Sequence, residues 1–178
     1  IGSFAFQRTL PGYHETVGQY KEIYSKIYGA SSGMYFDYIA PLVLEINPSS
    51  ILDYGWGRSD LVCYFWKDGK RRIARYDPAV PEYKLMPEGK FEIVICNDVL
   101  EHILMRDIDR VLNEIAEKSG RVIFTISLIP ARAKLPDGRN AHVTLLSESE
   151  WTRWIVSVFG CANKVRLPWE HLLMLKTF

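Results

Sequence analysis

The 178 residues include 48% apolar and 24% charged side chains, enough to bury roughly two thirds of the unfolded surface in one core, which excludes a disordered chain. Twenty-two Lys and Arg against 21 Asp and Glu leave a net charge of +1, so no overall field argues for nucleic acid or a membrane surface. Three cysteines, Cys63, Cys96 and Cys161, lack metal-ligand spacing, which excludes a disulfide scaffold or zinc cluster and reads as reduced thiols of a cytoplasmic protein.

The first elements are helical. Val17, Tyr20, Tyr24, Ile27 and Tyr28 recur at helical spacing in residues 15–28, and Tyr35, Tyr38, Ile39, Leu42, Val43 and Ile46 do so in residues 34–46, where Pro41 is expected to kink the helix. Gly29-Ala30-Ser31-Ser32-Gly33 joins the two as a hinge. Residues 1–33 are expected to form an N-terminal helical extension or lid on a single domain spanning residues 1–178. The stripe of Tyr20, Tyr24, Tyr28 and Tyr35 serves either as core or as a cover over a site. The opening Ile1-Gly2-Ser3-Phe4-Ala5-Phe6 lacks the pattern of a signal peptide, and no stretch reaches the ~20 apolar residues that span a bilayer.

From Ser50 the pattern changes. Ile51-Leu52-Asp53-Tyr54 is a short apolar run ending in glycines, the look of a buried strand, and Leu61, Val62, Phe65 and Trp66 then mark a helix closed by Gly69. Residues 72–77 read as a second strand and 91–96 as a third. An amphipathic helix follows with Ile108, Val111, Leu112 and Ile115 on one face, then a fourth strand at 122–126. Continuous apolar strands alternating with helices require a parallel sheet covered on both faces, an α/β doubly wound fold. Residues 128–146 read as a polar loop, and Ser147 with Glu150 makes a capping box before a helix carrying Trp151, Trp154, Ile155 and Val158. The last two runs, around 161–167 and 171–175, are separated only by Pro168-Trp169-Glu170, too short for a crossover, so they pair antiparallel.

Chemistry concentrates at the strand ends. Asp53-Tyr54-Gly55-Trp56-Gly57-Arg58-Ser59 places glycines where a strand turns toward the next helix, which serves either a plain tight turn or the approach of a ligand to backbone. Asp77, 20 residues past Gly57, ends the second strand, where a carboxylate can accept ribose hydroxyls; Pro78 keeps it extended. Cys96-Asn97-Asp98-Val99-Leu100-Glu101-His102 ends the third strand, so Asn97 and Asp98 face the same crevice as Gly55 and Gly57, or Asp98 and Glu101 simply favour the next helix start. Arg139, Asn140 and His142 put a cation, an amide and an imidazole close together after the fourth strand. A histidine can remove a proton near neutral pH; the plainer alternative is a solvated loop with His142 bonded to backbone.

Together, Ile51-Leu52-Asp53-Tyr54-Gly55-Trp56-Gly57, Asp77 and Phe91-Glu92-Ile93-Val94-Ile95-Cys96-Asn97-Asp98-Val99-Leu100-Glu101-His102-Ile103 resemble the three signature segments of class I S-adenosylmethionine-dependent methyltransferases. The order of elements is similar to that family over about residues 34–178. The resemblance implies an S-adenosyl-L-methionine cofactor across the carboxyl edge. Gly55 and Gly57 would lie against its amino-acid part, with Asp53, Tyr54 and Trp56 beside them. Asp77 would hold its ribose, and Asn97, Asp98, Val99 and His102 would line the adenine and sulfonium region. It further implies acceptor contacts after the fourth strand, at Arg139, Asn140 and His142, with His142 or Asp98 taking the acceptor's proton. A small-molecule or carbohydrate-like acceptor is expected and no metal. The absence of an Asn-Pro-Pro-aromatic run disfavours a DNA base.

The sequence departs from the family pattern in two places. Ser59 replaces the third glycine, beside a bulky Trp56. Only thirteen residues separate Asp77 from Phe91, where the family fits a helix and a strand, so this edge strand is expected to be missing. Two other classes compete: a methyltransferase-like fold kept for binding, and a nicotinamide-dependent oxidoreductase, whose fingerprint would need glycine at Asp60.

Overall fold

The computed structural model describes residues 13–24, 34–57, 59, 61–65, 69 and 71–178. Tyr28 and the hinge at 29–33 lie outside the described residues, as does the side chain of Tyr24. Helix α1 spans Tyr13–Tyr24 and α2 Phe36–Ile46, with Pro41 inside α2 without ending it. The strands are β1 (Ser50–Tyr54), β2 (Arg72–Tyr76), β3 (Ile93–Asn97), β4 (Val122–Ser127), β5 (Asn163–Val165) and β6 (Leu172–Lys176). Helices α3 (Ile108–Lys118) and α4 (Glu148–Phe159) complete the set, and among the described residues no helix is long and apolar enough to cross a membrane.

The six strands lie in the order β2-β1-β3-β4-β6-β5. The first four are parallel, and β6 pairs antiparallel with β4 and with β5, as the short connector at 168–170 requires. Strand β2 is an edge: the segment after it forms a single 3-10 turn, Pro81–Tyr83, in place of a further strand. The order of the strands across the sheet reverses between β1 and β3, and a crevice opens at the carboxyl ends of strands on either side of such a switch.

Alternate residues of these strands feed two cores. Leu52, Val94, Cys96 and Phe124 pack with the buried stripe of α3 (Ile108, Val111, Leu112, Ile115) and with Trp151 and Ile155 of α4. Ile51, Ile93, Ile95 and Ile123 pack on the opposite face with Tyr35, Ile39 and Val43. A smaller third core joins Tyr20 of α1 to Ala79, Leu135 and Ala141.

Two expectations are corrected. Leu61–Phe65 is a 3-10 helix rather than an α-helix. β-Branched and aromatic residues make it a weak α-helix former, and one tight turn suffices to bury Leu61, Val62 and Phe65. Residues within 128–146 are not wholly irregular: Lys134 and Asn140 form an antiparallel bridge, closing a small hairpin.

The capping box predicted for α4 is present, with the Glu150 carboxylate accepting the Ser147 amide at 2.8 Å and the Ser147 hydroxyl oxygen accepting the Glu150 amide at 3.4 Å. Ser147→Ala is expected to lower stability by about 1 kcal/mol in chemical denaturation. A variant as stable as the wild type contradicts the cap's contribution.

Candidate active site

The glycine turn after β1 is built against the loop after β3. Gly55 adopts φ +77, and a β-carbon there would stand 2.3 Å from Cγ2 of Val99, so both backbone sign and space demand glycine. The amides of Gly55 and Trp56 donate to the Tyr76 carbonyl at 2.7 and 3.1 Å, tying the turn to the end of β2. Gly57, also at positive φ, donates its amide to one carboxylate oxygen of Asp77 at 2.7 Å. The other oxygen accepts the Ala79 amide at 2.7 Å. Burial pushes the Asp77 carboxyl above its ordinary range, against the pull of the Ala79, Gly57 and Val80 amides.

Asp53 lies beneath this turn, buried, with Oδ2 lacking a hydrogen-bond partner. Burial raises its pKa to about 7; Arg75 opposes the rise and Asp77 adds to it. Trp56 turns outward. Its ring meets Tyr83 edge-on at 4.5 Å, with the Arg75 guanidinium 5.0 Å from its centre, so it covers the flank of β2. Ser59, in place of a third glycine, caps the following turn by accepting the Leu61 amide at 3.1 Å.

At the end of β3, Asn97 accepts a hydrogen bond from the Thr125 hydroxyl, and Asp98 adopts φ +52. Glu101 is fully buried, with Oε1 accepting the Ser127 amide at 2.8 Å. Burial, then the charge of Asp98, push its carboxyl well above the ordinary range. His102 Nδ1 lies 2.8 Å from the Ala141 carbonyl, which can only accept, so that nitrogen carries the proton. Burial lowers the His102 pKa to about 4, opposed by that hydrogen bond and aided by His142, and the ring is neutral.

Tyr20 donates its hydroxyl to the same Ala141 carbonyl at 2.5 Å, and its ring packs edge-on to His102 at 5.1 Å. His142 stands behind His102 at 4.9 Å and donates Nδ1–H to the Ile129 carbonyl at 2.6 Å. The Asn140 amide group accepts from and donates to Ala131, both at 2.9 Å, and also accepts the His142 amide at 2.8 Å. Arg139 pairs with Asp137 at 2.6 Å.

These elements enclose a crevice of about 590 Å³, counting its open mouth, lined by Tyr54, Gly55, Asp77, Ala79, Asp98, Val99 and His102, and by Val17 and Tyr20 of α1. Of the sequence-predicted residues, the structure thus brings together Tyr54, Gly55, Asp77, Asp98, Val99 and His102. Asp53 and Gly57 support the turn. Trp56, Asn97, Arg139, Asn140 and His142 are not among the described lining residues. Ala79 and the Glu101 carboxyl were missed by sequence reading: one is a small residue after Pro78, the other reads as an ordinary first-turn acid.

No protein-family model matches the chain, and no curated protein matches its sequence. Among solved structures the chain is similar to Burkholderia thailandensis 1,6-didemethyltoxoflavin-N1-methyltransferase, bound to 1,6-didemethyltoxoflavin and S-adenosylhomocysteine. The TM-score is 0.63 and the identity 19%, over 94% of this chain and 89% of that one. The fold is that of the class I methyltransferases. Two further class I likenesses are DhpI in complex with S-adenosylhomocysteine (TM-score 0.57, 17% identity, 94% of this chain and 97% of that one) and the methyltransferase domain of bacterial CtHen1-CN (0.57, 14%, 79% and 95%).

Gly55→Ala is expected to destabilise the protein by more than about 2 kcal/mol, from positive-φ strain plus overlap with Val99. The same change in a Val99→Ala background should cost less, and equal costs in both backgrounds contradict the contact. Asp53 binds its proton more tightly folded than unfolded, so stability falls as pH rises from about 4, its ordinary value, to about 7. The Tm difference between Asp53→Asn and wild type should therefore move in favour of the variant across that window. A difference independent of pH sinks the assignment.

Proposed function

We propose that the protein is a cytoplasmic S-adenosylmethionine-dependent methyltransferase acting on a small-molecule or carbohydrate-like acceptor. The observation that carries this reading is the crevice at the β1–β3 switch point, whose wall admits backbone but no β-carbon at Gly55. The donor set fits the cofactor: Asp77 and Asp98 both line the crevice, one for ribose hydroxyls and one for a cation. A carboxylate offers about four lone-pair sites, so Asp77 keeps accepting capacity beyond the backbone amides that bond it. The solved relatives bound to S-adenosylhomocysteine support the same reading. The free thiols Cys96 and Cys161 support a reducing compartment.

Bound S-adenosylmethionine supplies a methyl group on a sulfonium cation. The chain's residues contribute alignment and proton removal. Gly55 and Gly57 hold the loop close, Val99 presses on it, and Asn97 and Asp98 border the adenine and sulfonium region. Asp98 takes the acceptor's proton at its carboxylate. Neutral His102 forms the wall beside it, with His142 behind as the alternative base. Arg139 and Asn140 act on the acceptor through the hairpin that carries Ala141. A catalytically silent binding fold is the second reading, favoured by the engagement of both Asp77 oxygens with backbone amides.

The test is transfer of labelled methyl from S-adenosylmethionine to a panel of sugars, nucleotide sugars and small phenols. One class should be labelled, and Asp98→Asn should slow that transfer by ~10²- to 10⁴-fold while S-adenosylhomocysteine still binds. Wild-type transfer by Asp98→Asn moves the proton to His142 or water. Binding without transfer to any acceptor supports the silent fold.

A further inference from the structure

Thr125 stands on β4, buried, on the strand next to the one that bears Asn97 and Asp98. Its hydroxyl has one hydrogen and touches both residues. It donates to Asn97 Oδ1. The Thr125 hydroxyl oxygen in turn accepts the Asp98 amide at 3.2 Å, and that amide also reaches the Thr125 carbonyl at 3.0 Å. Asp98 Oδ1 lies 3.4 Å away, within reach of the same hydroxyl proton when it leaves Asn97.

Asp98 needs this support. At φ +52 it is one of two non-glycine residues with positive φ among those described; the other, Asn47, merely ends α2. Such a backbone is unfavourable for a residue with a β-carbon and persists where the surroundings over-determine it. Extended backbone at position 98 would swing the carboxylate off the crevice wall. The titratable groups around it are Tyr35 at the N-cap of α2, whose hydroxyl also bonds this carboxylate, the Cys96 thiol on β3 and the Glu101 carboxyl in the turn that follows.

We propose that Thr125 is a positioning residue, which pins the left-handed backbone of Asp98 and the amide of Asn97 with one hydroxyl so that the Asp98 carboxylate faces the reacting groups. This rests on the methyltransferase reading. It goes beyond it by assigning a role to a β4 side chain that touches neither cofactor nor acceptor.

The pair Thr125→Val and Thr125→Ser separates the hydroxyl from the shape of the side chain. Thr125→Val keeps the branched volume and loses both hydrogen bonds; Thr125→Ser keeps the hydroxyl. The valine variant should lower kcat for the labelled acceptor by about ten- to a hundredfold with KM little changed, as expected when a reacting group is misplaced, and serine should restore most of it. In the unliganded protein, hydrogen exchange at the Asp98 amide should quicken in the valine variant and match wild type in the serine variant. Equal loss in both variants, or an Asp98 amide as protected with valine as with threonine, overturns the proposal. If no acceptor is ever labelled, the methyltransferase reading fails, and the exchange measurement still decides whether Thr125 holds Asp98.

Discussion

The backbone of Gly55 meets the isopropyl group of Val99 with no room for a β-carbon between them, and the whole site is arranged around that contact. It joins the loop after β1 to the loop after β3, the two adjacent parallel strands between which the order of the strands across the sheet reverses. Asp77 then fixes the far side of the glycine turn by accepting the Gly57 amide. Loops from β1, β2 and β3 are thereby held as one rigid rim at the carboxyl edge of the sheet. Because the rim is made from backbone amides and one valine, it can lie close along a ligand without presenting bulky side chains.

Above the rim, two distant segments meet at a single atom. The Ala141 carbonyl accepts both the Tyr20 hydroxyl and His102 Nδ1–H, which uses its two lone pairs. The first donor comes from α1 and the second from the crevice wall, so one hairpin carbonyl sets the position of both. Electrostatics beneath are uneven. Asp53, Asp77 and Glu101 are all pushed toward their neutral forms by burial, while the charge of Asp98 is itself among the influences raising Glu101. His102 works in the opposite direction: its depressed pKa means that stability present above the usual histidine range is lost as pH falls toward about 4.

The sheet was legible because its strands are buried on both faces and read as unbroken apolar runs at 51–54, 93–96 and 122–126. Chain length decided two more features: three residues at 168–170 force the antiparallel pair, and thirteen between Asp77 and Phe91 leave β2 at an edge. The crevice was legible where strand ends build it, at Gly55, Asp77, Asp98 and Val99, all of which line it. It was not legible where polar side chains bind local backbone. Asn140 bonds the Ala131 backbone and the His142 amide, and Arg139 pairs with the Asp137 carboxylate, contacts that no sequence pattern announces. Contacts across long sequence separations, such as Tyr20 with Ala141, leave no periodic signal at all. Trp56 followed the competition between an apolar flank at β2 and a crowded turn, and the flank won.

The central claim is that the crevice between β1 and β3 receives S-adenosylmethionine. Calorimetric titration of the purified protein with S-adenosylhomocysteine, and separately with NAD, tests it most directly. One binding site per chain for S-adenosylhomocysteine and none for NAD is the predicted result. Saturable binding of NAD, with no heat from S-adenosylhomocysteine or S-adenosylmethionine, would contradict it.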